Sequence, residues 1–310
     1  MPPKQAILNL IEHPFLGALI RPLGRLTYRR PRLLGLIIPF HIPAFVTEQD
    51  SGQFITYRNS YLDLSTGLRG AVKLSPHLFE PEISYIIGKL IQPEHFVLDV
   101  GANVGFHTIA AARAATKGHV FAFEPVAEMA DRLSENCGLN IVDNVTIVPC
   151  ALGANNENLP MAVNIAGAGM EGTNSLANSR HISHRPDHYT SRDVPVRRLD
   201  DLIEELGVEG RIGFVKIDTE GFETHVIEGG LRTLRKHRPA MIVEAHSHRL
   251  AEAGKSFGWY LETFPDYHIF IVYGISRTNP SLTLSPLTPI QPEIAINLLL
   301  VPKQSPHKLD

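Results

Sequence analysis

Three acids stand where apolar runs end: Asp99 in "FVLDV", Glu124 after "VFAF" and Asp218 after "FVKI". In an open α/β sheet, ligands bind beyond the carboxyl ends of the strands, so acids placed there are candidates for holding one. The first acid leads into "GANVG", with Gly101, Asn103 and Gly105 forming a tight turn. A dinucleotide cradle needs a second glycine where Asn103 stands, because the backbone there must approach a pyrophosphate. A P-loop is excluded as well, since no Lys followed by Ser or Thr closes the turn. A ligand with a ribose and no phosphate fits better. Glu124 could accept both ribose hydroxyls, while the glycines admit an amino-acid-like tail. S-adenosylmethionine meets that description; the alternative is a structural turn with an incidental acid.

A second group could activate a nucleophile. It comprises Asp218 and Glu220 in "KIDTEG", and Glu244, His246 and His248 in "VEAHSH". Residues 244, 246 and 248 share one side of an extended strand. A weak nucleophile such as an alkyl hydroxyl attacks well only when a base takes its proton. The assignment gives His246 that role, with Glu244 or Asp218 orienting it or the acceptor. The alternative is a divalent metal on Asp218 and Glu244. Carboxylates more often serve as hydrogen-bond anchors, so no metal is assigned. His181, His184 and His188 would share a helical face, but Pro186 interrupts it and no cysteine lies near; a solvated, pH-sensitive lid is the reading there.

Alternating helical and strand-like segments must position these residues, the signature of a parallel sheet covered on both faces. A helix is expected over 81–91, a strand at "FVLDV", a helix over 104–115, a strand at 119–125, a helix to Cys137 and a strand at "VTIVPCAL". Residues 153–195 break the rhythm as a loop-rich insertion, within which "EGTNSL" (171–176) reads as a flexible gate. Strands at 212–218 and 240–246 flank a helix from Phe222 to Arg238, whose basic residues gather where they suit the helix dipole. "YHIFIVYG" and "AINLLLVP" are the last strands, joined by a proline-punctuated connection over 274–293.

"VLDVGANVGFHTIAAA", "VFAFEPVAEMADRLSENCGLN", "FVKIDTEGFETHVIEGG" and "RPAMIVEAH" follow one another in an order and spacing that resemble the FkbM-type S-adenosylmethionine-dependent methyltransferases, over roughly residues 78–302. The resemblance implies a Rossmann-like class I methyltransferase fold: a seven-stranded, mostly parallel sheet with helices on both faces and the last strand antiparallel. It implies O-methylation of a hydroxyl on a sugar, glycan or small natural product. It also carries Asp99, Gly101, Asn103, Gly105, Glu124 and Asp218 over as cofactor-binding residues. Cys150 and Ala151 would line the adenine through their backbone, although many members of this fold place an acid there.

Composition sets the outer bounds. With 310 residues, 44% hydrophobic and 20% charged, and a net charge of −3, the chain can bury a large core and offers no basic footprint for nucleic acid. The two cysteines, Cys137 and Cys150, imply no disulfide framework and favour a reducing, cytoplasmic location. Residues 1–77 form an extension ahead of a methyltransferase domain over 78–310. From residue 1 to 46 the extension carries six cations against Glu12, between apolar runs shorter than the ~18–20 residues of a membrane span. A helical arm packed on its own domain is expected there, with peripheral membrane contact as the alternative. The competing functions are a non-catalytic cofactor-binding or membrane-associated subunit and a nicotinamide-dependent oxidoreductase; Asn103 disfavours the latter.

Overall fold

The computed structural model describes residues 44–49, 52–57, 80–165, 174–176, 187–208, 210–275, 282–289 and 295–304. Residues 1–43 of the expected arm over 1–46, His181 and His184 lie outside them. A short hairpin comes first, β1 (Ala44–Gln49) against β2 (Gly52–Tyr57), and β2 lies beside two of the helices that follow. Next come α1 (Pro81–Leu90), β3 (Phe96–Val100), α2 (Phe106–Ala114), β4 (His119–Phe123), α3 (Ala127–Asn140), β5 (Val145–Val148) and β6 (Ala151–Leu152). The chain continues through β7 (Glu157–Asn164), β8 (Tyr189–Arg197), α4 (Leu199–Glu205), β9 (Ile212–Ile217), α5 (Glu223–His237) and β10 (Ala240–His246). It ends with α6 (Ser247–Glu252), α7 (Gly258–Thr263), β11 (Tyr267–Ile275), β12 (Leu282–Pro286) and β13 (Ala295–Pro302).

The main sheet has the order β12-β11-β13-β10-β9-β3-β4-β5. Strands β10, β9, β3, β4 and β5 run parallel, and β13 is antiparallel to both β10 and β11. This is the expected doubly wound sheet with its antiparallel last strand. An eighth strand, β12, joins the edge within the connection expected to be irregular.

Alternation along the strands loads both faces. Leu98, Val100 and Val215 face a core shared with Leu202 of α4 and Val226 of α5, whereas Val97, Val120 and Phe214 face one shared with Ile86 of α1 and Ala111 of α2. Helix α5 shows why the local sequence suffices for the helices. Glu223 sits in its first turn and Arg235, Lys236 and His237 in its last, Arg238 caps it in the left-handed region, and Pro239 follows.

The described residues of the insertion hold more regular structure than its composition suggests. Strands β6, β8 and β7 form a separate three-stranded sheet, with β7 and β8 antiparallel from Glu157↔Val196 to Asn164↔Tyr189. Its inward residues Met161, Val163, Val194 and Val196 close over Val126 and Ala151. The exposed residues of β8 are Ser191, Arg192, Asp193 and Pro195, which hides the strand from a reading of composition. The expected single strand "VTIVPCAL" is accordingly split, β5 staying in the main sheet and β6 joining the small one.

Candidate active site

Strand order reverses between β3 and β9, with β4 lying on one side of β3 and β9 on the other, so a crevice opens at their carboxyl ends. The turn after β3 is lashed to β4: the N–H groups of Gly101 and Ala102 both donate to the Phe123 carbonyl at 3.1 Å. Gly101 (φ +78°), Asn103 (φ +51°) and Gly105 (φ +95°) all take the left-handed region. A Cβ on Gly101 would lie 1.8 Å from the Asp218 carbonyl oxygen, and one on Gly105 would lie 2.2 Å from Leu133 Cδ1. Sequence reasoning expected these glycines to admit a ligand's tail. Where a Cβ would stand, Gly101 also admits the backbone of the neighbouring strand end and Gly105 a core leucine.

Glu124 is buried just past β4. The N–H of Asn103 donates to its Oε2 and the N–H of Val126 to its Oε1, each at 2.9 Å. A carboxylate has about four acceptor positions, so each oxygen keeps one for a further donor. Burial pushes this carboxyl up to about 7, and the two backbone donors only partly offset that.

The register of β3 on β9 pairs Asp99 with Lys216. Lys216 is a buried cation that motif reading passed over; the signal available was one lysine inside the apolar run "IGFVKI". Its Nζ donates to Asp218 Oδ2 at 3.0 Å and lies 3.8 Å from Asp99 Oδ1. Burial favours its neutral form, but the charges of Asp218 and Asp99 outweigh that and hold the ammonium above lysine's usual range. Burial likewise works against Asp218's charge, and Lys216 overcomes it, leaving the carboxyl below the usual range. Asp99 Oδ2 accepts from Thr108 Oγ1 at 2.5 Å. Asp99 Oδ1 is shielded from solvent without a hydrogen-bond partner, an open acceptor beside the glycine turn. Close by in charge terms, His107 Nε2 lies 2.7 Å from Glu80 Oε2. Neither residue stood out in the sequence.

Beyond β9 and β10 is a second cluster. Glu223 Oε1 gathers the N–H groups of Thr219 (3.0 Å) and Gly221 (2.9 Å) and so fixes the "DTEG" turn, in which Glu220 adopts φ +56°. Glu244 Oε2 lies 3.1 Å from His246 Nε2. Burial, then the charge of Asp218, pushes Glu244 up to about 7; its contact with Glu244 holds His246 above its ordinary value despite burial. Burial and the neighbouring charges of Glu244, Asp218 and Glu223 drive Glu220 up to about 9. The expected pairing of 244, 246 and 248 along one strand holds for the first two only, because β10 ends at His246 and the exposed His248 belongs to α6.

Within the insertion, Asn174–Leu176 do not behave as the free end of a gate. Ser175 is 1% exposed, pairs with Ala162 through both backbone groups, and donates its Oγ to the Glu220 carbonyl at 2.7 Å. The rest of the expected gate, 171–173, lies outside the described residues. His188, the described member of the histidine cluster, directly precedes β8. Cys150 and Ala151 are both buried at the turn between β5 and β6. Neither cysteine is in a disulfide, and burial pushes both thiols up to about 11. No described helix is long and apolar enough to cross a membrane.

A family profile described as the methyltransferase FkbM domain matches residues 99–269. Among curated proteins, the chain is 30% identical over 159 residues to the 2-O-methyltransferase NoeI of Sinorhizobium fredii, covering 49% of this chain and 64% of that one. It is 27% identical over 170 residues to the hexuronic acid methyltransferase AglP of Haloferax volcanii, covering 54% of this chain and 63% of that one. The chain thus spans under two thirds of the length of either relative. A solved structure of a methyltransferase FkbM from Methylobacillus flagellatus aligns with a TM-score of 0.40 at 17% identity, over 67% of this chain and 44% of that chain.

Proposed function

This chain belongs to the FkbM methyltransferase family, and from that premise we propose that it transfers a methyl group from S-adenosylmethionine to a hydroxyl of a sugar or glycan. One observation carries the reading. Glu124, Asp99, Asp218 and the Glu244–His246 pair stand at the carboxyl ends of four adjacent strands, in the spatial order β4, β3, β9, β10. At ~4.8 Å per strand that row spans about 14 Å, room for a nucleoside at one end and an acceptor at the other. The named relatives, a 2-O-methyltransferase and a hexuronic acid methyltransferase, support a sugar as the acceptor.

The residues suit the cofactor. Glu124 has two acceptor positions to offer a vicinal diol, and the orphaned Oδ1 of Asp99 suits an ammonium donor. The turn at Cys150 and Ala151 supplies backbone for the adenine edge. S-adenosylmethionine, when bound, supplies a methyl group on a positively charged sulfur. On the acceptor side, Glu244 Oε2 lies 3.1 Å from His246 Nε2, and the tautomer with its hydrogen on Nε2 leaves the imidazole lone pair on Nδ1. That atom receives the hydroxyl proton, and Glu244 stabilises the imidazolium that results. Asp218, held charged by Lys216, orients the acceptor.

The test is turnover of S-adenosylmethionine by the full chain across a panel of glycans with free vicinal hydroxyls, read by mass spectrometry of the product. His246→Ala is expected to lower kcat about a hundredfold while leaving S-adenosylhomocysteine affinity unchanged. Equal losses in cofactor affinity and kcat would remove His246 from the base role.

Cofactor affinity should also depend on pH. Glu124 must be ionised to accept two hydroxyls, and its carboxyl titrates at about 7 in the ligand-free protein. Hydroxyl donors favour the anion, so binding releases a proton, and affinity falls as the pH drops below that value. The expected loss for S-adenosylhomocysteine is about fivefold between pH 7 and pH 6, with little change from pH 8 to pH 9. Calorimetry in buffers of different ionisation enthalpy reads both the affinity and the proton count. A dissociation constant constant from pH 6 to pH 8 would contradict this account of Glu124.

A further inference from the structure

Glu220 has no part in the chemistry above, yet it is brought to the same place. One ligand-type atom each from Glu220, Glu244 and His246 lies within 4.8 Å of the other two, the only such grouping of His, Cys, Asp and Glu among the described residues. Two separate elements deliver them, the turn after β9 and the end of β10. Both are fixed from outside the group: Glu223 ties the turn through Thr219 and Gly221, and β10 is pinned between β9 and β13.

We infer that Glu220, Glu244 and His246 form a binding site for a divalent transition cation, and that occupancy of this site switches methyl transfer off. The neighbouring groups are otherwise engaged. Asp218 Oδ2 takes the Lys216 ammonium, Glu223 Oε1 takes three donors of its own turn, and Arg249 Nη1 donates to Glu252. A second observation points to a missing ligand. Glu244 Oε2 and His246 Nε2 are both shielded from solvent, and although 3.1 Å apart neither has a hydrogen-bond partner of good geometry. Buried polar atoms left in that state call for a partner, and a cation between them would serve both. One imidazole with two carboxylates is a donor set that zinc accepts with a fourth position open to solvent, whereas magnesium and calcium favour oxygen alone.

The inhibitory sign rests on the base assignment proposed above. A neutral imidazole has a single lone pair. Once that pair is given to a cation, the other ring nitrogen carries the hydrogen and cannot accept the hydroxyl proton. The cation also neutralises Glu244, which was to stabilise the imidazolium. No bond to the methyl group is made or broken in this step, and removal of the cation restores the base.

The experiment is calorimetric titration of the EDTA-stripped full chain with zinc chloride, beside methyl-transfer assays with and without zinc. One equivalent of zinc is expected to bind and the rate to fall to less than about a tenth, returning with EDTA. Glu220→Gln keeps the side chain's size and should weaken zinc at least about tenfold while S-adenosylhomocysteine affinity stays at the wild-type level. His246→Gln should abolish the same binding event, and S-adenosylhomocysteine affinity checks that both variants are folded. No zinc binding, or unchanged zinc affinity in Glu220→Gln, overturns the site. A rate that rises with zinc overturns the inhibitory role. A chain that binds zinc through Glu220 but never transfers methyl groups overturns the function proposed above while leaving the site standing.

Discussion

Replacing Glu124 with alanine is expected to weaken S-adenosylhomocysteine binding by at least about a hundredfold, because the ribose loses both of its charge-assisted acceptors. Each hydrogen bond to a charged group is worth about 1.5–3 kcal/mol, so two together are worth roughly 3–6 kcal/mol, or two to four decades in the dissociation constant. The loss has a second source. The N–H groups of Asn103 and Val126 would be left without their carboxylate, loosening the glycine turn on one side and the start of α3 on the other. Glu124→Gln separates the two. The amide keeps the size and one carbonyl acceptor, so it should fall between wild type and alanine. Calorimetry on the three proteins gives the ranking, and an alanine variant within threefold of wild type would detach this carboxylate from the cofactor.

The largest effect on stability is expected at Lys216. Lys216→Met preserves volume and strand character but leaves the buried Asp99 and the half-buried Asp218 without their cation. Breaking a buried ion pair by removing one partner costs about 3–5 kcal/mol, against a total stability of about 5–15 kcal/mol for a domain. The sign with pH follows from the carboxyls. In the wild type, Lys216 holds Asp218 below its unfolded value, and that stabilisation is present above the unfolded pKa and lost as pH falls through the folded one. In the variant that stabilisation is gone and burial alone works against the Asp218 anion, so the deficit grows as pH rises from 4 to 8. Thermal unfolding should therefore show a small gap in Tm between wild type and variant at pH 4 and a wide one at pH 8. Adding Asp218→Asn to Lys216→Met should recover part of the loss at pH 8. Equal Tm values for Lys216→Met and wild type at pH 8 would mean that Lys216 does not neutralise this pair.

Much of the site could be read along the chain because its signals are local. A strand ending at an acid, a turn rich in glycine, and a helix opening on Pro81 or closing before Pro239 each depend on residues a few positions apart. So Asp99, Glu124, Asp218, Glu244 and His246 stand out as residues at strand ends, and the alternation of elements points to the parallel sheet. Local reading failed where register or a distant partner decided the outcome. Lys216 looks like a stray charge in an apolar strand until the pairing of β9 with β3 sets it beside Asp99. That Gly101 must lack a side chain is decided by the Asp218 carbonyl, which comes from another strand to the place of its Cβ.

The sequence by itself determined the doubly wound sheet, the row of acids at its carboxyl edge and the kinship with a methyltransferase family, since periodicity, turn chemistry and the order of blocks are properties of neighbouring residues. Only the tertiary structure decided that Glu220 joins Glu244 and His246, that Ser175 ties the insertion to the turn carrying Glu220, and that the polar stretch around 189–197 is a strand. Those facts depend on which side chains meet across elements far apart in the chain, and packing of the whole molecule, not any local preference, selects among the contacts the sequence would allow.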